Sequence, residues 1–177
     1  MKHFKLFLLP LLAITLVFSS CEQQDLSLTY IEPIQDWGKS PQDILEKMTK
    51  SKSGAILDYS ENYEDLYFME YKNYGISDYV GYSFSNNKLY YSVCTFENDT
   101  YKQTIKDYLA KKYTLVEYEK FEYYEDRYCE EFLYNNKKKT SSILLRVEHG
   151  GDINVFYAPY NEGGIDDFYD TLDSFEE

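Results

Sequence analysis

The sequence predicts an α+β fold in which two tandem units, each a helix followed by antiparallel strands, form one sheet with the helices on one face. Two observations support this prediction. Helix start signals near residues 40 and 100 each precede several short segments rich in tyrosine and β-branched residues, which favour strands. The tripeptide Tyr-Glu-Asp also begins at Tyr63 and again at Tyr124, and a spacing of about sixty residues across helix, strand and turn indicates an internal duplication.

The N-terminal residues have the pattern of an export signal. Lys2 and Lys5 precede an uncharged apolar stretch over 6–18, which is shorter than the roughly 20 residues that a membrane-spanning helix needs. The junction Phe18-Ser19-Ser20-Cys21 resembles the lipobox of bacterial lipoproteins, and the acidic residues Glu22 and Asp25 after it resemble the surface-export signal of lipoproteins of the Bacteroidetes type. The resemblance implies cleavage after residues 1–20, lipidation of Cys21, a tether over 21–35 and a place in the cell envelope at the outer membrane. A plain signal peptide with an incidental cysteine is the alternative.

The charge of the chain excludes one class of partner. The sequence holds 31 acidic and 18 basic residues, and loss of residues 1–20 removes two lysines and no acid, so the net charge falls from −13 to −15. Nucleic-acid binding needs clustered Lys and Arg, and anionic lipid headgroups repel such a surface, so we expect membrane attachment through the lipid alone. An aromatic content of 19% excludes a disordered acidic polymer.

The first unit is predicted over 36–97. Ser40 is a suitable N-cap, Pro41 suits the first helical turn, and an apolar stripe follows until Gly54 ends the helix. The pair Asn86-Asn87 tolerates the positive φ of a tight hairpin turn. The predicted strands cover 55–59, 66–72, 79–85 and 88–96.

The second unit is predicted over 98–160. Asp99 or Thr100 caps a helix that ends at Lys111 and Lys112. Its predicted strands cover 115–120, 127–134, 141–148 and 153–159. In the acidic tail, 161–177, apolar residues recur at helical spacing over 165–175 between aspartates, which indicates a short docked helix or a frayed end.

The start of the first unit carries a family resemblance. Trp37-Gly38-Lys39-Ser40, followed by a short helix and antiparallel strands, resembles the repeats of beta-lactamase-inhibitor-protein-like lipoproteins. Small outer-membrane assembly lipoproteins share one such unit, and their helix start is matched here by Gly38, Ser40, Asp43 and Ile44. The likeness covers about 37–160. It implies helices on one face of an antiparallel sheet and a second face that is left for partners.

Strand alternation assigns side chains to the two faces of the predicted sheet. The residues expected to face the helices are Val80, Tyr82, Phe84, Leu89, Tyr91, Val93, Ile143, Leu145, Val147, Ile153, Val155 and Tyr157. Those expected to face away are Tyr79, Tyr90, Ser92, Cys94, Phe96, Phe156 and Cys129. We predict that Tyr79, Tyr90, Phe96 and Phe156 form a binding surface, unless the tether or the tail folds back over them.

Catalytic and metal-binding patterns are not found in the sequence. Beyond the export signal the chain holds one histidine, His149, in a predicted turn, and no nucleophile elbow, His-Glu-x-x-His helix or Cys-x-x-Cys pair. Zinc and copper sites need more such ligands, so we expect neither a cofactor nor an enzyme. In an oxidising compartment Cys94 and Cys129 either pair or stay free.

These observations lead to one functional hypothesis and two alternatives. The leading hypothesis is a non-enzymatic, lipid-anchored module that binds another envelope or extracellular protein. The first alternative is a glycan- or small-ligand-binding accessory lipoprotein of nutrient uptake, because tyrosine rings stack on sugars as readily as on protein. The second is a purely structural envelope lipoprotein.

Overall fold

The computed structural model describes residues 29–51, 53–63, 65–124 and 127–174. Cys21 and the predicted export signal lie outside these residues. The helices are α1 (Pro41–Lys50), α2 (Lys102–Lys112, preceded by a 3₁₀ turn at Asp99–Tyr101) and α3 (Ile165–Asp173). The strands are β1 (Ile56–Tyr63), β2 (Leu66–Tyr74), β3 (Ser77–Ser85), β4 (Lys88–Phe96), β5 (Thr114–Tyr124), β6 (Arg127–Asn135), β7 (Ser141–Glu148) and β8 (Ile153–Pro159).

All eight strands belong to one antiparallel sheet. Their order is β1-β2-β3-β4-β8-β7-β6-β5, so β1–β4 and β5–β8 each form a meander. The last strands of the two meanders pair at the centre of the sheet, where Cys94 is opposite Val155. The predicted α+β class with antiparallel strands is confirmed, and β1 and β5 are the two edges.

Local signals account for the ends of the elements. Ser40 and Asp43 form a capping box at the start of α1, in which the Ser40 hydroxyl accepts a hydrogen bond from the Asp43 amide and the Asp43 carboxylate accepts one from the Ser40 amide. Asn86 and Asn87 have φ of 49° and 62°, the left-handed values that the β3–β4 hairpin turn requires.

One face of the sheet, here called the inner face, packs against α1 and α2. Ile44 and Met48 of α1 and Ile105 and Leu109 of α2 join a single core cluster with the strand side chains. The strand residues predicted to face the helices that lie in this cluster are Val80, Tyr82, Phe84, Leu89, Ile143, Leu145, Val147, Ile153, Val155 and Tyr157. The prediction is therefore confirmed for β3, β7, β8 and the start of β4.

Residues 29–35 also pack on the inner face. Tyr30 is 5% exposed, and its hydroxyl shares a hydrogen bond of 2.5 Å with the hydroxyl of Tyr157. Ile34 donates its amide to the Tyr82 hydroxyl over 3.2 Å, and the Tyr74 hydroxyl donates to the Glu32 carbonyl over 2.9 Å. The predicted tether over 21–35 is therefore wrong for its last residues, which belong to the folded core.

A bulge in β4 reverses the predicted faces of most of that strand. Ser83 pairs with Tyr91 while Phe84 pairs with Leu89, so Tyr90 is an extra residue. One inserted residue shifts the two-residue alternation by one position and moves every later side chain to the other face. The side chains that consequently lie on the inner face are Ser92, Cys94 and Phe96, and those on the opposite face are Tyr91 and Val93.

The opposite face, here called the outer face, carries α3. Ile165 and Phe168 of α3 pack against Leu133, Leu144 and Ala158 of β6–β8. The helix alternative for the acidic tail is therefore correct. α3 lies on the face away from α1 and α2, so the helices do not all share one face.

Candidate functional site

A row of paired residues crosses the whole outer face of the sheet. From edge to edge it runs Tyr59, Glu70, Gly81, Val93, Phe156, Leu144, Leu133 and Glu117. α3 packs on the half of the row that belongs to β6–β8. Over the other half, no segment of the described chain packs as α3 does. We call this half the open face and define it by Tyr59, Phe68, Glu70, Gly81, Ser83, Tyr91 and Val93.

Gly81 creates a shallow groove in the open face. The groove has a volume of about 250 Å³ and is bordered by the open-face residues together with Met69 and Tyr82. A Cβ at Gly81 would lie 3.1 Å from Cγ1 of Val93, so a side chain here would fill the space between β2 and β4. Phe68 and Tyr91 are both partly exposed and lie in the next row, on either side of Ser83. A glycine thus leaves a gap between aromatic neighbours.

The open face carries one carboxylate, that of Glu70. No salt bridge reaches the Glu70 carboxylate from any described residue, whereas the nearby Lys72 is paired with Asp58 at 2.8 Å. The Lys72–Asp58 hydrogen bond raises the pKa of Lys72, and Glu70 adds to this shift through its charge. Tyr79, next to Lys72 in the register, donates its hydroxyl to Glu97 over 3.2 Å, which raises the pKa of Tyr79. The Lys72 ammonium is therefore already engaged by Asp58.

The predicted binding residues separate into three groups. Tyr79 is partly exposed on the outer face beside the open face, as predicted. Tyr90 and Phe96 are 2% and 0% exposed, so the prediction that they form a binding surface is wrong. The β4 bulge turns Phe96 into the inner-face core, and Tyr90 is the extra residue of the bulge. Phe156 does point to the outer face, but it packs beneath α3. The residues that sequence reasoning missed are Tyr59, Phe68, Gly81 and Tyr91, and an isolated glycine within a strand was the available signal.

Specific polar contacts hold α3 over the second half of the outer face. The Ile165 amide at its N-terminus donates to the Glu117 carboxylate over 2.7 Å. The Tyr169 hydroxyl donates to Glu131 over 2.6 Å, and Glu131, only 2% exposed, faces the Arg146 guanidinium at 3.7 Å. Burial and the hydrogen bond to Glu131 raise the pKa of Tyr169 well above its ordinary value. α3 is therefore a docked part of the fold.

The groups considered for metal binding and catalysis can be placed in the structure. Within the described ranges, no three His, Cys, Asp or Glu residues are grouped so that they could hold a metal ion. Cys94 and Cys129 are free thiols buried on opposite faces of the sheet, which decides the open question of their pairing. Burial raises the pKa of the Cys94 thiol to about 12, so it is not a nucleophile at neutral pH. His149 is exposed in the β7–β8 turn.

No protein-family model, curated protein or solved structure matches the chain. None of the helices in the described part of the chain has the length and apolar character needed to cross a membrane. Functional inference therefore comes from the residues of the chain itself.

Proposed function

We propose that this protein is a non-enzymatic, lipid-anchored module of the cell envelope that binds another protein through the open face. One observation carries the proposal. α3 covers half of the outer face, while the other half presents Tyr59, Phe68, Tyr91 and Val93 without a covering segment from the described chain. Solvent-facing sides of antiparallel sheets are normally polar, and clustered accessible aromatic residues are typical of interaction sites.

The proposed lipid anchor would keep the folded domain close to the membrane. The core begins at Tyr30, and the Thr29 carbonyl accepts a hydrogen bond of 3.1 Å from the Ile76 amide at the β2–β3 turn. The residues between Cys21 and Thr29, extended at about 3.3–3.6 Å each, reach about 25 Å. The anchor would therefore hold the β2–β3 end of the sheet within about 25 Å of the lipid surface.

We further propose that the two halves of the sheet are tandem repeats, as in the beta-lactamase-inhibitor-protein-like lipoproteins. The order of elements supports this, since a helix precedes each group of four strands. The pairing of β4 with β8, the last strand of each half, is the arrangement that a local two-fold relation would produce. On this proposal the outer face of each half is equivalent, and only the second half supplies its own covering helix.

The test is capture of a partner from native envelopes by the full chain. Phe68→Ser combined with Tyr91→Ser removes the rings of the open face. Leu115→Ser combined with Tyr118→Ser is the matched control, because those side chains are 50% and 47% exposed on the β5 edge. We expect only the open-face variant to lose the partner, with the circular dichroism of both variants unchanged. Equal loss in both variants, or in neither, contradicts the proposal.

The anchor is tested separately with Cys21→Ala. This change should move the protein from the membrane fraction to the soluble fraction and abolish labelling by a fatty-acid analogue. A variant that stays membrane-bound would refute lipid anchoring at Cys21.

Glycan binding is the second candidate, and the accessible rings favour it. Tyr59 is 48% exposed, and Phe68 and Tyr91 border the same groove. A glycan array with the full chain distinguishes the two functions. Sugar binding that the open-face variant loses would favour the accessory lipoprotein of nutrient uptake.

A further inference from the structure

Glu70 lies at the centre of the open face. In the cross-sheet row it lies between Tyr59 and Gly81, the residue whose missing side chain forms the groove. It is partly buried, and no described residue forms a salt bridge with it. A carboxylate in a partly desolvated groove binds a cation more strongly than one in open solvent. We infer that the groove binds an arginine or lysine side chain of the partner protein, an inference that rests on the proposed function.

The residues around Glu70 suit a basic side chain. Phe68, Tyr91 and Tyr59 supply aromatic rings beside the carboxylate, and ammonium and guanidinium groups are attracted to ring faces. The same chain already uses this contact elsewhere. The Lys106 ammonium lies 4.1 Å from the centre of the Phe132 ring, and that of Lys120 lies 4.8 Å from the Tyr128 ring.

The volume favours a side chain over a free metabolite. Pockets for small organic ligands measure about 300–1,000 Å³ and enclose most of the ligand. The groove over Gly81 holds about 250 Å³ and is partly open to solvent. A single long side chain with an apolar stem and a charged head fits such a groove. The neighbouring backbone of the partner would then contact the rings of Phe68 and Tyr91.

Charge decides which protein segment is the occupant. The chain has a net charge of −13, and Glu61 lies opposite Phe68 at the edge of the open face. The α3 helix of a second copy has the shape to cover this face but carries aspartates, and like charges would oppose its docking. The aspartates of α3 are Asp166, Asp167, Asp170 and Asp173. The occupant is therefore a basic segment of a different protein.

The test measures binding of defined peptides to the full chain in detergent by fluorescence anisotropy. Three peptides share their length and apolar residues and carry arginine, neutral citrulline or glutamate at the same positions. We expect the arginine peptide to bind best. Glu70→Gln should weaken its affinity about fivefold to tenfold, as expected for a charge-assisted contact in a partly buried groove.

Glu119→Gln is the matched control for the acidic field of the whole protein. Glu119 is exposed on β5, at the opposite edge of the sheet from the open face. Its replacement by glutamine removes the same charge as Glu70→Gln. It should alter arginine-peptide affinity by less than about twofold. Thermal unfolding of both variants checks that the fold is kept, because neither carboxylate is in the core.

Four outcomes would overturn the inference. Equal binding of the arginine and citrulline peptides would exclude a cation site. Equal effects of Glu70→Gln and Glu119→Gln would assign binding to the general negative charge. Displacement of the peptide by N-acetylarginine amide at an equal concentration would identify a small cationic ligand instead of a protein. If Glu70→Gln still captures the native partner that the Phe68/Tyr91 variant loses, the inference fails while the proposed function stands.

Discussion

Buried tyrosine hydroxyls should make this fold unstable in alkali. Tyr30, Tyr82 and Tyr157 lie in the inner-face core, and burial raises the pKa of each well above its ordinary value of about 10. The folded chain therefore keeps these phenols protonated at a pH at which the unfolded chain ionises them. A group of this kind contributes its full stabilisation below about pH 10, and the contribution is lost as pH rises toward the folded pKa.

The magnitude follows from proton counting. Above about pH 10 the folded state holds one more proton than the unfolded state for each such tyrosine, so each lowers the free energy of unfolding by about 1.4 kcal/mol per pH unit. Three tyrosines together give a slope of about 4 kcal/mol per pH unit. The Cys94 thiol, whose pKa burial raises to about 12, acts in the same direction. A domain stability of about 5–15 kcal/mol would disappear within roughly one to four pH units above 10.

The decisive perturbation is Tyr157→Phe. It removes one titrating phenol and also the hydrogen bond that the Tyr157 hydroxyl shares with Tyr30. At pH 8 the variant should lose about 1–3 kcal/mol, the cost of leaving a buried hydroxyl without its partner. Above pH 10 the free energy of unfolding of the variant should fall less steeply than that of the parent. The two slopes should differ by about 1.4 kcal/mol per pH unit, the contribution of the one phenol that is removed. The two stability curves should therefore cross roughly one to two pH units above 10.

Urea unfolding followed by circular dichroism between pH 8 and pH 11.5 measures both slopes. Tyr128→Phe is the control, because its side chain is 40% exposed, and it should leave the slope of the parent unchanged. The buried tyrosines should ionise only as the protein unfolds, so their part of the tyrosinate absorbance near 295 nm should rise together with the loss of circular dichroism. The reasoning is refuted if Tyr157→Phe and the parent have the same slope. It is also refuted if every phenol ionises near pH 10 while the dichroism stays native.

Two further changes test the two faces of the sheet. Val155→Asp places a carboxylate at a position that is 0% exposed in the inner-face core, so the free energy of unfolding should fall by more than about 4 kcal/mol. A far-ultraviolet circular dichroism spectrum like that of the parent would contradict this prediction. Phe168→Ala removes the most buried side chain of α3. The packing free energy that holds α3 on the sheet should fall by about 3–5 kcal/mol. Because α3 can detach while the sheet persists, amide hydrogen exchange should accelerate in α3 alone, and unchanged protection there would show that the docking contacts lie elsewhere.

The sequence by itself determined the elements whose signals are local. The start of α1 was predicted from Ser40 and Pro41, and the β3–β4 hairpin from Asn86-Asn87, because a cap and a tight turn depend on a few consecutive residues. The inner face of β7 and β8 was also predictable, since those strands alternate without interruption. The choice between helix and frayed end for the tail remained open in the sequence, and its packing in the structure answers it.

Only the tertiary structure decided the site. The faces of β4 depend on a bulge that exists because Leu89 pairs with Phe84 and, from its other side, exchanges backbone hydrogen bonds with Gly38 and Lys39. Gly38 and Lys39 are distant along the chain, so alternation within β4 cannot show the shift, and Phe96 was assigned to the wrong face. The open face likewise depends on where α3 docks. Its apolar stripe specifies that the helix is buried, but the complementary surface on β6–β8 determines which half of the sheet it covers and which half stays accessible.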